Sequence, residues 1–461
     1  MRRRRKAKPP EAAARPRDRE AVLAWLDRRI NFERTPPGGT AAPFGLARVR
    51  RLMAAVGAPH ERLPVAHVAG TKGKGSTVAM LAAMLQEAGH RVGCYMSPHV
   101  HALEERIRVD GRPISAADLV AACATVIPAV ERLDATAARR GARGPSWFEV
   151  VTAVALVHFV RAEVDIAVLE TGLGGRLDAT NVSRPLVTVI TSISLDHMAV
   201  LGPTIGRIAR EKAGIIKRGC PVVSAAQRPA ARRVIVATAA RRRARLLEAG
   251  RDFRVTHAAV DPFRGDRIAI TLPDGGTVRC RLGMAGRHQA ENAALAAVAA
   301  RELDGLGFRV PNEAVVRGLG RTRLPARIER VGTRPLTIVD AAHNVASMRS
   351  LVETLAPVLE RLRPWLLVFA ASADKQIEEM LAAAAGRFDH VVVTRYVTNP
   401  RAATVERLAE ACHRAGLPAA QVAAGPREAL RLARSLATRR GLVCVAGSFF
   451  LAAEIGGRSG S

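Results

Sequence analysis

The residues most able to do chemistry lie in one run, HVAGTKGKGSTVAML, from His67 to Leu81. Glycines stand at positions 70, 73 and 75, lysines at 72 and 74, and hydroxyls at 71, 76 and 77. A glycine-rich turn at the start of a helix points backbone N–H groups inward and adds positive potential, which cradles a polyphosphate. Lys74 would place a point charge on the β/γ-phosphates, and a hydroxyl at Ser76 or Thr77 would reach Mg²⁺. The strict order G-x-x-x-x-G-K-[ST] is not met, because the lysine precedes the last glycine in G-x-x-G-K-G-S-T. Such a loop works only if a strand delivers it and a helix receives it. Val65 to Ala69 is an apolar run that predicts a buried strand, and Ser76-Thr77 opens an alanine-rich helix that ends near Gly89. A bland surface loop of Gly and Lys would not need these parts in this order.

Three further strands end on polar residues. Val92 to Met96 runs into Ser97-Pro98-His99, where proline stops the strand. Asp165 to Leu169 ends on Glu170, and Leu186 to Thr191 leads to Ser194, Asp196 and His197. In open parallel sheets, ligands sit at the carboxyl ends of strands. Ser97, Glu170 and His197 are therefore expected at one edge beside the phosphate loop. A hydroxyl, a carboxylate and an imidazole suit a magnesium site completed by phosphate oxygens and water. Taken singly, each has an ordinary structural reading as a loop residue or a cap. Asp178 and Asn181 follow the turn Gly172 to Gly175, and the helix TIGRIAREKAGIIKRG carries Glu211 and Lys212. His288, Gln289 and Asn292 open a long alanine-rich helix, and Asp340 and His343, in DAAHN, sit where a later strand ends.

The elements that position these residues alternate as in an α/β fold. Helices are expected over Ala21 to Ile30, Phe44 to Val56 and Ala116 to Leu133, and in SWFEVVTAVALVHFV. Arg251 to Leu282 alternates between turn signals and reads as a β-hairpin region. From Leu336 strands and helices alternate anew (LTIVD, WLLVFAAS, HVVVTRY, GLVCVAGS), which predicts a second α/β unit with a parallel sheet. It lacks G-x-G-x-x-G, so no dinucleotide is expected there. The expected division is a disordered basic tail at 1–20, a domain at 21–332 with a central, mostly parallel sheet, and a smaller C-terminal α/β domain at 333–461.

Composition bounds the function. A chain of 461 residues has room for two domains with real cores. No apolar run approaches a membrane span, and no apolar segment of signal-peptide type follows the basic start. The six cysteines form no C-x-x-C pair, which argues against a zinc site or disulfide framework and for a reducing cytoplasm. The net charge of +30 raises the question of nucleic acid. The basic residues are mostly arginines spread along the chain, and aromatic residues are only 3%, too few for stacking platforms. Solvated charge that attracts anionic small molecules is the expected account.

With NFERTPP, HVAGTKGKGST, YMSPH…ERIRV, ETGLGGRLDATN, SLDHMAVLG…IAREKAGIIK, GRHQAENAALA, DAAHN and VAGSFF in this order, the chain resembles the folylpolyglutamate synthase/dihydrofolate synthase family, a branch of the ATP-dependent Mur ligases. The resemblance runs from about Ala21 to the C-terminus. It implies a P-loop domain and a smaller Rossmann-like C-terminal domain with ATP between them. It also implies a reaction: ATP phosphorylates the carboxylate of dihydropteroate or of a glutamylated folate, and the amino group of L-glutamate displaces the phosphate. By motif, Gly73, Lys74, Gly75 and Ser76 would bind the ATP phosphates, and Asn292, Arg327 and Asp340 would contact ATP. Ser97, Glu170 and His197 would hold Mg²⁺, His343 would lie near the reacting centre, and the loop Ser97-Pro98-His99 would hold the pteroate group. Lys212 resembles the lysine this family carbamylates, whose carboxylate would meet a second metal. The resemblance implies a monomer. Ala341 and Ala326 stand where the family usually has glycine, and ADKQ replaces D-K-D. The competing expectations are a P-loop NTPase that binds nucleic acid and a cell-wall ligase of the Mur type with a UDP-linked substrate.

Overall fold

The computed structural model describes residues 16–33, 45–359 and 361–456. Most of the expected basic tail and most of NFERTPP lie outside these. The first helix is Arg19–Asp27, capped by Asp18, whose carboxylate accepts from the Ala21 N–H at 2.7 Å. It therefore starts two residues before the expected Ala21.

The larger sheet has eight strands: β1 Val65–Ala69, β2 Val92–Tyr95, β3 Ile107–Val109, β4 Arg112–Pro113, β5 Ile166–Glu170, β6 Val187–Ile190, β7 Val222–Ser224 and β8 Leu246–Glu248. Their order is β4-β3-β2-β5-β1-β6-β7-β8. All are parallel except the edge pair β3 and β4. β1 and β5 are wholly buried and, apart from His67 and Glu170, consist of small and branched apolar residues, as a sheet covered on both faces requires. One face carries the helices Lys74–Glu87 and Arg287–Asp304 in a single core with β1, β5 and β6. The other face carries Ala116–Arg139 and Trp147–Arg161.

Three antiparallel strands, β9 Arg254–Ala258, β10 Arg267–Thr271 and β11 Thr277–Arg281, form a separate small sheet, so the expected hairpin region holds one strand more than a hairpin. The C-terminal sheet comprises β12 Glu329–Thr333, β13 Leu336–Val339, β14 Trp365–Phe369, β15 His390–Val393, β16 Gln421–Val422 and β17 Leu442–Ala446. Its order is β12-β13-β17-β14-β15-β16, parallel except for β12.

Three further readings shift. The phosphate-loop helix starts at Lys74, two residues earlier than Ser76, because Gly73 supplies the left-handed N-cap at φ 85°. The helix expected to end at Leu133 continues to Arg139, since the DATAAR segment that follows contains nothing that breaks a helix. The β3–β4 hairpin adds to the expected elements: Asp110-Gly111 sits at its turn with φ 50° and 74°, the left-handed pair such a turn demands. Among the described residues no helix is long and apolar enough to cross a membrane.

Candidate active site at the strand ends

β1 delivers the loop from Gly70 to Gly73, and the loop is pinned on its far side. The Thr71 N–H donates to the Ser192 carbonyl at 2.8 Å, and Thr71 Oγ1 donates to the Ser194 carbonyl at 3.2 Å. A Cβ on Gly73 would fall 2.1 Å from Asn292 Oδ1. No side chain fits there, so the loop backbone is pressed against the first turns of the helix Arg287–Asp304. Asn292 is buried and donates from Nδ2 to Gln289 Oε1 at 3.1 Å. Thr77 Oγ1 is committed to the Gly73 carbonyl at 2.9 Å, which leaves Ser76 as the hydroxyl at the head of the helix.

Glu170, at the end of β5, joins two loops. Its Oε1 lies 3.9 Å from Lys74 Nζ, and its Oε2 accepts from the Ser97 N–H at 3.1 Å. A Cβ on Gly75 would lie 3.3 Å from Oε2. The carboxyl is buried, and burial raises its pKa while Lys74, the Ser97 N–H, Arg327 and Arg106 oppose the rise. A buried carboxylate with one lysine at 3.9 Å is short of positive charge. That is the condition a divalent cation would relieve.

The expected magnesium ligands are only partly gathered. His197 caps the short helix Met198–Leu201 in the left-handed region at φ 49°. Its side chain is 55% exposed and stands 3.9 Å from Asp196 Oδ1, not against Glu170. Among the described residues no three His, Cys, Asp or Glu side chains are arranged so that they could hold a metal ion by themselves. The set of one carboxylate, one hydroxyl and one imidazole fits Mg²⁺ only if phosphate and water supply the remaining positions, which is how Mg²⁺ usually binds.

Lys212 comes up from the helix Ile205–Ala213 beneath the phosphate loop. It is buried, and Nζ donates to the Gly70 carbonyl at 2.6 Å. Burial first, and the charge of Lys74 second, lower its pKa to about 7, so the neutral amine is within reach near neutrality. Asp178 and Asn181 are structural. Asp178 accepts from the N–H groups of Leu173 and Thr180, and Asn181 donates to the Arg176 and Gly214 carbonyls.

The second domain meets this edge. Lys72 Nζ, in the phosphate loop, donates to Asn344 Oδ1 in the DAAHN turn. Burial lowers its pKa to about 8. His343 donates from Nδ1 to the Ala341 carbonyl at 2.9 Å, which leaves a lone pair on Nε2, and its ring lies 5.5 Å from that of Phe449. Burial pushes it down to about 4, with Lys375 and Arg327 adding to the drop and Asp196 opposing it. Both oxygens of Asp340 take backbone N–H groups, from Ala342 at 2.8 Å and Ile328 at 2.9 Å. Arg327 stacks on Phe449 at 5.1 Å and lowers the pKa of Asp340 against its burial. Ala326 adopts φ 53° and Ile328 φ 49°, so the backbone keeps a left-handed turn at a position where the resemblance expects glycine.

The loop after β2 begins with a cis Ser97-Pro98 bond. His99 is held by Arg106, which donates from Nε to His99 Nδ1 at 2.8 Å. Lys72, Asp196, Lys375 and Arg106 thus lie at the site although the sequence assigned no role to any of them. Only Asp196 and Lys72 lay in runs whose position gave a signal.

Similarity to known proteins agrees with this geometry. The family model for the Mur ligase middle domain matches residues 146–300, and that described as Mur ligase, glutamate ligase domain, matches 326–449. The dihydrofolate synthase/folylpolyglutamate synthase of Bacillus subtilis (strain 168) is 39% identical over 366 residues, covering 78% of this chain and 80% of that protein. That of Mycobacterium tuberculosis (strain ATCC 25618 / H37Rv) is 38% identical over 403 residues, covering 85% and 82%. The crystal structure of Mycobacterium tuberculosis folylpolyglutamate synthase complexed with ADP and AMPPCP superposes with a TM-score of 0.86 at 34% identity, covering 96% of this chain and all (100%) of that one. A phosphate loop facing a second α/β domain, at these identities over most of both chains, makes this chain an ATP-dependent ligase of the dihydrofolate synthase/folylpolyglutamate synthase family, within the Mur ligases.

Proposed function

We propose that this ligase joins L-glutamate to dihydropteroate, to glutamylated folates, or to both, through an acyl phosphate. One observation carries the reading: Glu170 is shared by the phosphate-loop lysine at 3.9 Å and the acceptor-loop N–H of Ser97 at 3.1 Å. A nucleotide's terminal phosphate and an acceptor carboxylate would therefore converge on the same few ångströms. Phosphoryl transfer is mostly positioning and charge neutralisation. The N–H groups of Gly73 to Ser76 and the Lys74 ammonium would hold the β/γ-phosphates, while Asn292, Arg327 and Asp340 would hold the rest of the nucleotide. The acceptor carboxylate takes the γ-phosphoryl group. The glutamate amine then attacks the acyl carbon, the tetrahedral intermediate collapses, and phosphate leaves. His343, with its Nε2 lone pair, would steady or receive the amine proton.

Ser97, Glu170 and His197 would hold Mg²⁺, which when bound neutralises charge on the phosphates. Lys212 as a neutral amine would take up CO₂, releasing one proton and leaving a carbamate carboxylate under the loop. That the solved relative holds ADP and AMPPCP supports ATP as the nucleotide here. We read the chain as a monomer in the cytoplasm, with a basic tail at 1–20, an ATP-binding domain at 21–332 and a Rossmann-like domain at 333–461. Phosphate release by the purified protein, with dihydropteroate and with a reduced folate side by side and mass analysis of products, tests the function. Lys74→Ala should abolish turnover. Failure of both acceptors to stimulate phosphate release with L-glutamate present would reject the proposal.

A further inference from the structure

The helices Ile205–Ala213 and Pro229–Arg241 pack side by side, and a cleft of about 450 Å³ lies between them. Gly206, Ala230 and Ala237 line it together with Arg210, Arg233 and Arg241, and no residue of the phosphate loop or the strand ends borders it. Arg210 and Lys212 share a helix but stand about 200° apart around its axis. Lys212 is buried beneath the phosphate loop and Arg210 is exposed, so the cleft opens away from the catalytic edge. A Cβ on Gly206 would meet nothing within 4 Å, so no neighbour demands glycine there. Glycine is a poor helix former, and its effect at this position is to keep the cleft clear. The surrounding charge is one-sided. Between Gly202 and Arg245 twelve lysines and arginines stand against one acid, Glu211. Glu211 is taken by Arg176 at 2.9 Å, and Glu248 on β8 is taken by Arg232 at 2.6 Å. The side chains of Arg210 and Arg233 have no partner among the described residues, and Arg241 meets the Thr238 hydroxyl at 3.1 Å.

Arginine pairs with carboxylates through two parallel hydrogen bonds, so this cleft suits an anion with several such groups. The spacing narrows the choice. Arg233 and Arg241 are eight residues apart on one helix, about 12 Å along its axis. Phosphates joined directly through oxygen crowd their charges more closely and offer nothing apolar to Ala230 and Ala237. In a γ-linked glutamate chain, five backbone bonds with two methylenes among them separate one α-carboxylate from the next, about 6 Å when extended. The first and third carboxylates of such a chain therefore match the two arginines. We propose that the cleft binds the oligo-γ-glutamyl chain of a glutamylated folate, with its carboxylates on Arg233, Arg241 and, from the facing helix, Arg210. The inference rests on the reading of the reaction as addition of glutamate to a folate. An acceptor being elongated has the free end of its chain at the strand ends, so the chain in the cleft belongs to a second molecule, a product carrying at least three glutamates. The site thus reads the length of what the enzyme has made, at a place separate from where it makes it.

Titration calorimetry on the full chain at low salt and without nucleotide tests this, with tetra-γ-L-glutamate and γ-L-glutamyl-L-glutamate as probes. The tetramer should bind at least tenfold more tightly than the dimer, and added NaCl should weaken it. Replacing both Arg233→Gln and Arg241→Gln should raise the Kd of the tetramer at least tenfold while phosphate release with a monoglutamylated folate stays at the wild-type rate. Gly206→Leu keeps every charge and fills the cleft, and should cause a similar loss of binding. No binding of the tetramer to the wild-type protein, equal Kd for tetramer and dimer, or an unchanged Kd in either variant would overturn the proposal. Tripolyphosphate bound as tightly as the tetramer would make the cleft a general anion site and would overturn the assignment to an oligocarboxylate. Binding is read without ATP and the ligase reading by phosphate release, so each can fail alone.

Discussion

Replacing Lys212 by methionine should make the nucleotide-free protein more stable near neutral pH, and less distinctively so in alkali. Nζ is buried and donates to the Gly70 carbonyl at 2.6 Å, and burial followed by Lys74 lowers its pKa from 10.5 to about 7. In the unfolded chain the amine keeps its proton until the pH approaches 10.5. Between pH 7 and that value the unfolded state binds more protons than the folded one, so stability rises with pH across this window. Below pH 7 both states are protonated and the penalty stays at its full size. At about 1.4 kcal/mol per pKa unit, the lysine costs roughly 4 kcal/mol at pH 7 and about 2 kcal/mol at pH 9. Methionine removes that penalty and leaves the Gly70 carbonyl without a donor, a loss of about 1 kcal/mol at any pH. The variant should therefore gain roughly 3 kcal/mol at pH 7, and about 2 kcal/mol of the gain should be gone at pH 9. For a cooperative unit of about 300 residues that change in the difference amounts to about 3 °C in Tm. Calorimetric unfolding of both proteins at the two pH values, in buffers purged of CO₂, measures it. Lys72 and Lys217, whose pKa values are also lowered to about 8, titrate in the same window but are common to both proteins. Parallel pH dependence of the two Tm values would refute the reasoning.

Other perturbations follow from the same geometry. Glu170→Gln keeps the hydrogen bond from Ser97 but removes the charge, so the Mg²⁺ concentration for half-maximal turnover should rise at least tenfold; an unchanged requirement, read by magnesium titration, would remove Glu170 from the metal. Gly73→Ala puts a Cβ 2.1 Å from Asn292 Oδ1 at φ 85°, and nucleotide affinity measured by calorimetry should fall at least tenfold. Ala326→Gly relieves a left-handed alanine at φ 53° and should stabilise the protein by about 1 kcal/mol in denaturant unfolding; a loss of stability would show that the turn does not strain the alanine.

What the sequence revealed and what it hid divide along a physical line. The phosphate loop was legible because it is local: an apolar strand, glycines whose backbone must approach a ligand, and a helix start lie within fifteen consecutive positions. The ends of β2, β5 and β6 were legible for the same reason, each an apolar run broken by polar residues, and the alternating order of the last third announced the second sheet. The contacts that hold the site together were not. Arg106 meets Glu33 across 73 positions and Lys72 meets Asn344 across 272, and no periodicity in a single chain encodes such pairings. His197 shows the converse limit. Its place after β6 could be read, but the left-handed backbone on which it stands, and its nearness to Asp196 at 3.9 Å, could not.

The site's cations explain why two domains are needed to make it. Lys74 and Lys212 rise from the first domain, Lys375 and Arg327 come from beyond the small sheet, and each depresses the protonation of some neighbour: Lys74 that of Lys212, Lys375 and Arg327 those of Lys72 and His343. Glu170, Asp196 and Asp340 are the acids set among them, and two of the three are themselves pushed up by burial. Like charges gathered in a poorly solvated cleft oppose the approach of the two domains, and a polyanion placed between them reverses that sign. A triphosphate would therefore do more than occupy a preformed pocket: it would convert repulsion across the cleft into attraction and hold Lys72, Asn344 and His343 against the strand ends. The same logic predicts little such effect from a neutral nucleoside. Domain closure followed by small-angle scattering should respond to AMPPCP and not to adenosine, and an equal response to both would assign closure to the base and not to the phosphates.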